Sequence, residues 1–357
     1  MQEVKTTIKN EGAMVGKAGL FTAISNDTSP FFSTASNRYI TALSKSNTHY
    51  ETENLGNNYV NIHTDDLVFN ASIEFQENAC KILGRPAFAK ALTIFSAADI
   101  SSDGTAFIQV KEYMRLRKIC KSLAWKEMVD AASFLRSCLI CYRIEKIPKK
   151  ELAYYSKQKI TAFNYDYSRG RRTILGGIQI IKMVDIGNGG IEIKFGDDYL
   201  SLVKVFSGIT MCKELLKIND KTHPAAYWIG YHLVVKLNID TRKYGKTPSH
   251  LTLSIKNLLK VAGSGIQAAE TFKNRHYRER IVKKLEKELD ALACINCIAN
   301  WNYSTSDGKR ITQEEADKTP FQVWKNLSID FNFPKEIIEE ITQKNAKYIE
   351  LSNNDTK

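Results

Sequence analysis

The chain has 357 residues, of which 43% are hydrophobic and 10% aromatic, and it carries 51 Lys and Arg against 39 Asp and Glu. That length suits two domains, and that apolar content excludes wholesale disorder. The net charge of +12 favours an anionic partner, nucleic acid before an acidic membrane surface.

No apolar run approaches the ~18 residues of a membrane span. The N-terminal stretch MQEVKTTIKNEGAMVGK lacks the apolar core of a secretory signal. Seven Cys, mostly in apolar context, fit a reducing cytoplasm better than a disulfide scaffold. The expectation is a cytoplasmic, DNA-associated prokaryotic protein with no membrane partner.

Residues 1–65 are rich in Asn, Ser and Thr and read as a flexible polar arm, with a short ordered piece near Tyr39–Leu43. From Asp66 to Ile100 two short helices are expected, broken at Gly84-Arg85-Pro86. FIQVKEYMRLRKI then has helical spacing at Val110, Tyr113 and Met114. After a short polar connection, WKEMVDAASFLRSCLI places Trp125, Met128, Val129, Ala132, Leu135 and Leu139 on one helical face. CYRIEKI reads as a strand ended by Pro148. The two β-rich runs around Gly187-Asn188-Gly189-Gly190 read as a hairpin. A helix follows, with Asp197 or Asp198 as its cap.

The second half repeats the plan. Residues 223–237 read as a helix behind Pro224. LTLSIKNLLKVAG reads as a short helix ended by Gly263. NRHYRERIVKKLEKELDALACI carries the stripe Ile281, Val282, Leu285, Leu289, Leu292 and Ala293 of an amphipathic helix. IANWNYS reads as a strand, Ser306-Asp307-Gly308-Lys309 as a turn or wing, and FQVWKNLSIDFNF as another strand. The tail gives one acidic helix over roughly 335–350.

Each half therefore gives helix, short helix, longer helix, strand, loop, strand. This is the order of a winged helix, a helix-turn-helix followed by a β-hairpin. The expected fold class is α+β and helix-rich, with two winged-helix domains in tandem. Their expected bounds are 66–218 and 219–334, with an acidic helix and tail at 335–357.

The charge is not spread evenly. Residues 111–182 hold 17 basic against 6 acidic side chains, and residues 220–300 hold 14 against 7. Two separate basic blocks suggest two surfaces that meet the same polyanion. In the first, Arg115, Arg117, Lys118, Lys121 and Lys126 surround the turn and the start of the second helix. The loop carrying Arg169, Arg171 and Arg172 lies beside the hairpin and suits contact with phosphates or a minor groove. In the second, Arg275, His276, Arg278, Arg280, Lys283 and Lys284 crowd the first half of the long helix, and Lys256 lies on the short one. The first turns of such a helix face base edges in the major groove.

These stretches resemble plasmid replication initiator proteins with tandem winged-helix domains. FIQVKEYMRLRKI, the hairpin IQIIKMVDIGNGGIEIKF, LTLSIKNLLKVAG, RHYRERIVKKLEKELDAL and the Trp301–Tyr303 strand carry the resemblance, over roughly residues 66–333. It implies binding to repeated double-stranded sequences at a plasmid origin, recruitment of the host helicase or its loader, and self-repression as a homodimer. It also implies a recognition helix beginning near Arg275 and no intrinsic catalysis.

The six His residues contain no His-hydrophobic-His pair for a nicking site. Gly245-Lys246-Thr247 ends like a phosphate-binding loop, but Asp240 stands where its first Gly is needed. Gly196-Asp197-Asp198 has the look of a polymerase metal turn without a second acidic motif, and helix capping explains it. The C-x-x-C pairs Cys138/Cys141 and Cys294/Cys297 close apolar helices, and small buried hydrophobes at a repeated packing position explain them better than zinc. No cofactor and no metal are expected. Two other readings stay open: a winged-helix transcriptional regulator, and a nucleic-acid enzyme such as a nicking relaxase or primase. Tyr154, Tyr155, Tyr165 and Tyr167 beside basic residues also leave a single-strand or RNA binder open.

Overall fold

A computed structural model describes residues 31–33, 51–54, 59–63, 67–72, 86–98, 100–137, 139–142, 179–187, 189–197, 199–200, 208–262 and 277–354. The chain divides into two compact units, Met1–Gly208 and Ile209–Lys357. The architecture is mixed α and β, rich in helix, with small antiparallel sheets.

The first unit opens with strands β1 (Phe31–Ser33), β2 (Glu51–Asn54), β3 (Tyr59–His63) and β4 (Leu67–Ser72). These strands correct the expectation of a flexible arm at those residues and of a helix at 67–72. Val60-Asn61-Ile62-His63 alternates apolar and polar residues, and Leu67-Val68-Phe69 is a short apolar run rich in strand formers. Tyr39–Leu43 lies outside the described residues.

Helix α1 (Pro86–Ser96) starts on Pro86, whose fixed φ suits a first turn. Strand β5 (Thr105–Gln109) runs into helix α2 (Val110–Arg117), and helix α3 (Lys121–Ser137) follows after a tight turn. Strand β6 (Leu139–Tyr142) pairs with β4, completing a sheet of order β2-β3-β4-β6. Strands β7 (Ile181–Gly187) and β8 (Gly190–Phe195) form the expected hairpin, with Gly187 opposite Gly190. Strand β5 joins this hairpin against β8, giving the order β5-β8-β7. Phe88, Phe95, Tyr113, Met128, Phe134, Leu135, Ile193 and Phe195 form the core.

Strand β9 (Gly208–Thr210) and a 3-10 turn (Lys213–Lys217) lead to helix α4 (Ala226–Tyr244). Strand β10 (His250–Ser254) and helix α5 (Ile255–Ala262) follow. A π turn (Arg278–Val282) opens helix α6 (Lys283–Cys294). Then come β11 (Asn300–Ser304), β12 (Arg310–Ile311), α7 (Gln313–Lys318), α8 (Phe321–Trp324), β13 (Ser328–Asn332) and α9 (Lys335–Asn354). The sheet order is β10-β13-β11-β12.

FIQ and LTLS differ from the helix starts that the sequence suggests: each ends a strand that enters the helix behind it. Ala106 and Ile108, like Leu251 and Leu253, alternate buried with more exposed neighbours, so period two wins over period 3.6. FQVWKNLSIDFNF is likewise half helix: Pro320 starts α8, which buries Phe321 and Trp324, and only Ser328–Asn332 is strand. Helix α7 was missed, although Thr312 and Glu315 form a capping box at its start.

The two units share one plan. Apart from β6, which follows α3 in the first unit and pairs with β4, each runs helix, strand, helix, helix, strand, strand, and in each the last of these strands lies between the other two. In the second unit β12, α7 and α8 are inserted before that last strand.

Candidate nucleic-acid interface

In the first unit the turn between α2 and α3 is set by Lys118. Its backbone is left-handed (φ 53°) and its N–H bonds back to the carbonyl of Met114. The side chains of Lys118, Lys121 and Lys126 are exposed around this turn. Arg115 is exposed as well and lies 3.6 Å from Glu112.

Arg117 does not belong to this surface and is a correction. It is 3% exposed, and its Nε and Nη2 donate to the two oxygens of Glu127 at 2.9 and 3.1 Å. Tyr113 also donates to Glu127, at 3.0 Å. Arg117 sits on the packed face of α2, one position beyond Leu116, so its guanidinium meets α3 rather than solvent.

In the second unit the third helix sorts its charges by side. Glu286 accepts from Tyr303 Oη at 3.1 Å, and Asp290 accepts from Trp301 Nε1 at 2.9 Å. Both aromatics come from β11, so one strand pins two acids one helical turn apart. Glu288 turns into the core, where it accepts the Ala226 N–H at 2.8 Å and sits 3.9 Å from His223 Nδ1. Burial pushes its carboxyl up to about 7, against the pull of that N–H bond and of Lys287 and Lys284. Burial likewise raises Glu286. The basic side chains Arg278, Arg280, Lys283, Lys284 and Lys287 are left exposed.

The start of this helix is held by Tyr277. Its ring lies 4.9 Å from Phe321, and its hydroxyl donates to the Thr319 carbonyl at 3.2 Å. Phe321 stacks on Trp324, and Trp324 Nε1 donates to Tyr303 Oη at 3.3 Å. The inserted helices α7 and α8 thus link the helix start to the sheet. The five-residue π turn falls among the basic side chains, a form of helix common at functional sites.

Beside the helix, β11 and β12 form a short antiparallel hairpin. Its turn closes on Thr305, whose N–H donates to the Lys309 carbonyl at 2.9 Å and whose Oγ1 accepts from the Lys309 N–H at 3.2 Å, and Gly308 takes φ +82°. Lys309 and Arg310 are exposed on this hairpin. Lys256 is exposed on α5.

The structure therefore leaves Arg115, Lys118, Lys121 and Lys126 exposed around one turn in the first unit, and Arg278, Arg280, Lys283 and Lys284 exposed on consecutive turns of one helix in the second. Arg169, Arg171, Arg172, Arg275 and His276 lie outside the described residues, as do Tyr154, Tyr155, Tyr165 and Tyr167. Sequence reasoning missed Lys287, Lys309 and Arg310. The turn at Ser306–Lys309 marked the hairpin, and the i, i+3 and i, i+4 spacing from Lys284 and Lys283 marked Lys287.

The other sequence signals resolve locally. Gly245 ends α4 with φ 69°, and Thr247 bonds to Thr241, as part of the packing against α9. Asp197 pairs with Lys182. Cys297 is buried, as read, but Cys294 is exposed at the last position of α6, which corrects the reading of that pair as two buried hydrophobes. Cys138 is outside the described residues. Among the described residues no three His, Cys, Asp or Glu side chains are placed to hold a metal ion, and no helix is long and apolar enough to cross a membrane.

The sequence matches no protein family and none of the curated proteins. Among solved structures the chain is similar to the Pi initiator protein in complex with iteron DNA. The TM-score is 0.46 and the identity 11%, over 86% of this chain and 98% of that one.

Proposed function

We propose that the chain is a non-catalytic, sequence-specific binder of double-stranded DNA, built from two winged helices, that initiates replication at a plasmid origin. One observation supports this most: the same helix–strand–helix–helix–strand–strand plan recurs in both units, with exposed cations on or before the third helix each time. In a winged helix that third helix fills the major groove, where its width fits, and the hairpin reaches the neighbouring backbone.

The chemistry follows from the sorting of charge on α6. Glu286 and Asp290 are tied to β11 and Glu288 to the start of α4, so the exposed cations Arg278, Arg280, Lys283, Lys284 and Lys287 outnumber the exposed acids Glu279 and Asp290. Arg278 and Arg280 supply planar forks suited to guanine edges or phosphates, and Lys283, Lys284 and Lys287 supply point charges for phosphates. Lys309 and Arg310 on the wing extend the backbone contact. In the first unit Lys118, Lys121 and Lys126 play the corresponding part.

Host helicase or its loader as a partner, a homodimer and an origin made of repeats rest on the resemblance to plasmid initiators. The test is replication. A plasmid without its own initiator, carrying the DNA that flanks this gene, should replicate when the protein is supplied in trans. Tight binding to that DNA without replication would instead favour a transcriptional regulator.

A further inference from the structure

Arg278 is exposed at the start of the π turn, yet its guanidinium is held. Its Nε donates to Tyr277 Oη at 3.2 Å, and its Cζ lies 5.8 Å from the centre of the Tyr277 ring. The same hydroxyl donates to the Thr319 carbonyl at 3.2 Å. One oxygen thus accepts from the arginine and donates to the backbone, a use of both capacities of a phenol. Bonds linked in such a chain polarise and strengthen one another.

The far end of the chain is firm. Thr319 lies between α7 and α8, where its N–H donates to the Ala316 carbonyl at 3.1 Å and its Oγ1 to the Glu315 carbonyl at 2.8 Å. The Tyr277 ring lies 4.9 Å from Phe321, and Phe321 stacks at 5.8 Å on the buried Trp324. Tyr277 is therefore fixed at its ring and at its hydroxyl, both by the segment inserted between β12 and β13.

A guanidinium donates either side-on, through Nε and one Nη, or end-on, through both Nη groups. With Nε committed to Tyr277, Arg278 offers the end-on fork. That fork matches the O6 and N7 acceptors of guanine in the major groove. A phosphate accepts from a freely moving cation nearly as well as from a fixed one, so it gains little from this arrangement. A base edge gains more, because direction matters there and a side chain already ordered loses less rotamer freedom on binding.

We propose that Tyr277 is a positioning residue that presets the Arg278 guanidinium for the O6/N7 edge of one guanine. The inference rests on the proposed reading of α6 and its opening turn as the part that enters the major groove. In this role Tyr277 acts through Arg278 rather than on the DNA. The inserted helices α7 and α8 then take part in recognition, because they hold the tyrosine that aims the arginine.

The test compares the full-length wild type with Tyr277→Phe, which keeps the ring beside Phe321 and removes only the hydroxyl. Nitrogen-15 NMR of the free protein reads the Arg278 Nε–H. Its exchange with water should be slowed in the wild type, and that protection should be lost in Tyr277→Phe. Equal exchange in the two would overturn the positioning. The second readout is binding to duplexes carrying each single base-pair change of the DNA beside the gene. Tyr277→Phe should lower the preference for one G·C pair by about five-fold, the entropic cost of ordering one long side chain, and leave affinity for random duplex within about two-fold. Arg278→Ala should lower the preference at that same pair by about ten-fold or more. Adding Tyr277→Phe to Arg278→Ala should cost nothing further. An equal loss on every duplex, or a loss that adds in the double variant, would leave Tyr277 a structural role alone and overturn the inference. A wild type without base preference would overturn the proposed function and this inference together. A wild-type preference untouched by Tyr277→Phe would overturn the inference alone.

Discussion

Arg117 and Glu127 are joined by two parallel hydrogen bonds between α2 and α3, with side chains only 2% and 12% exposed. The sequence offers Arg117 as one more cation beside Arg115 and Lys118, yet it is a structural residue. It fixes the angle between the two helices that carry the first unit's exposed lysines. Removing one partner of a buried pair costs about 3–5 kcal/mol. Arg117→Ala should therefore lower the unfolding free energy of the first unit by that much, read as a lower urea midpoint. Lys126→Ala, at an exposed position, should change stability by less than about 0.5 kcal/mol. Urea titrations of the two variants check this, and an unshifted midpoint in Arg117→Ala would contradict it.

The second unit should lose stability as pH rises toward neutrality. Glu288 ionises near 7 in the folded unit against an ordinary 4.5. The native state therefore holds this proton more tightly than the unfolded chain. That stabilisation is full below 4.5 and is lost as pH rises through about 7, a span of roughly 3 kcal/mol. His223 works in the opposite sense: burial lowers it below 6.5, so its contribution is lost in acid. Glu288→Gln keeps an acceptor for the Ala226 N–H and should remove the decline between pH 5 and 7, leaving the acid-side loss from His223. Chemical denaturation at several pH values reads both slopes. A wild-type curve that rises with pH over that range would refute the assignment.

Gly230 lets α4 approach its neighbours. A Cβ at this position would lie 2.3 Å from Leu215 Cδ2 and 2.7 Å from Leu292 Cδ2. Both leucines are fully buried, so the extra methyl has little room to be absorbed. Gly230→Ala should cost about 1–3 kcal/mol despite the better helix propensity of Ala. A thermal melt that is unchanged or raised would show that the contact relaxes.

The exposed cations should act as phosphate contacts. Lys287→Ala should weaken duplex binding to a similar degree across sequences, and the salt slope should shrink by about 0.9 for the lost contact. The double variant Lys309→Ala, Arg310→Ala should behave likewise if the wing touches the backbone. Arg280→Ala should instead change which sequences are preferred, by about 1–3 kcal/mol at one base pair. Fluorescence anisotropy over a range of salt concentrations separates these outcomes. Unchanged slopes in all three variants would remove α6 and the wing from the interface.

Helix α6 was legible because its stripe of Ile281, Val282, Leu285, Leu289 and Leu292 repeats cleanly, and each of these residues is buried. The hairpin at Gly187–Gly190 was legible because glycines leave little else open. Short strands running directly into helices were not: Ala106 and Ile108 continue into Val110 and Tyr113 with no breaker between them. The role of Arg117 was hidden for a different reason. Charge and spacing are the same for a solvated Arg and a buried one, and only the approach of Glu127, ten residues on, distinguishes them. The fate of the acids on α6 was equally hidden. Their partners Tyr303, Trp301 and the Ala226 N–H are brought in by tertiary packing.

The central claim is specific recognition of duplex DNA, and competition binding tests it most directly. At ~150 mM salt the full-length protein is titrated into a labelled duplex of the DNA beside its gene, against random duplex and against the separated single strands. The account predicts a preference of about a thousand-fold or more for the native duplex, with affinity falling steeply as salt rises. Equal affinity for random duplex, or tighter binding to the single strands, would contradict it.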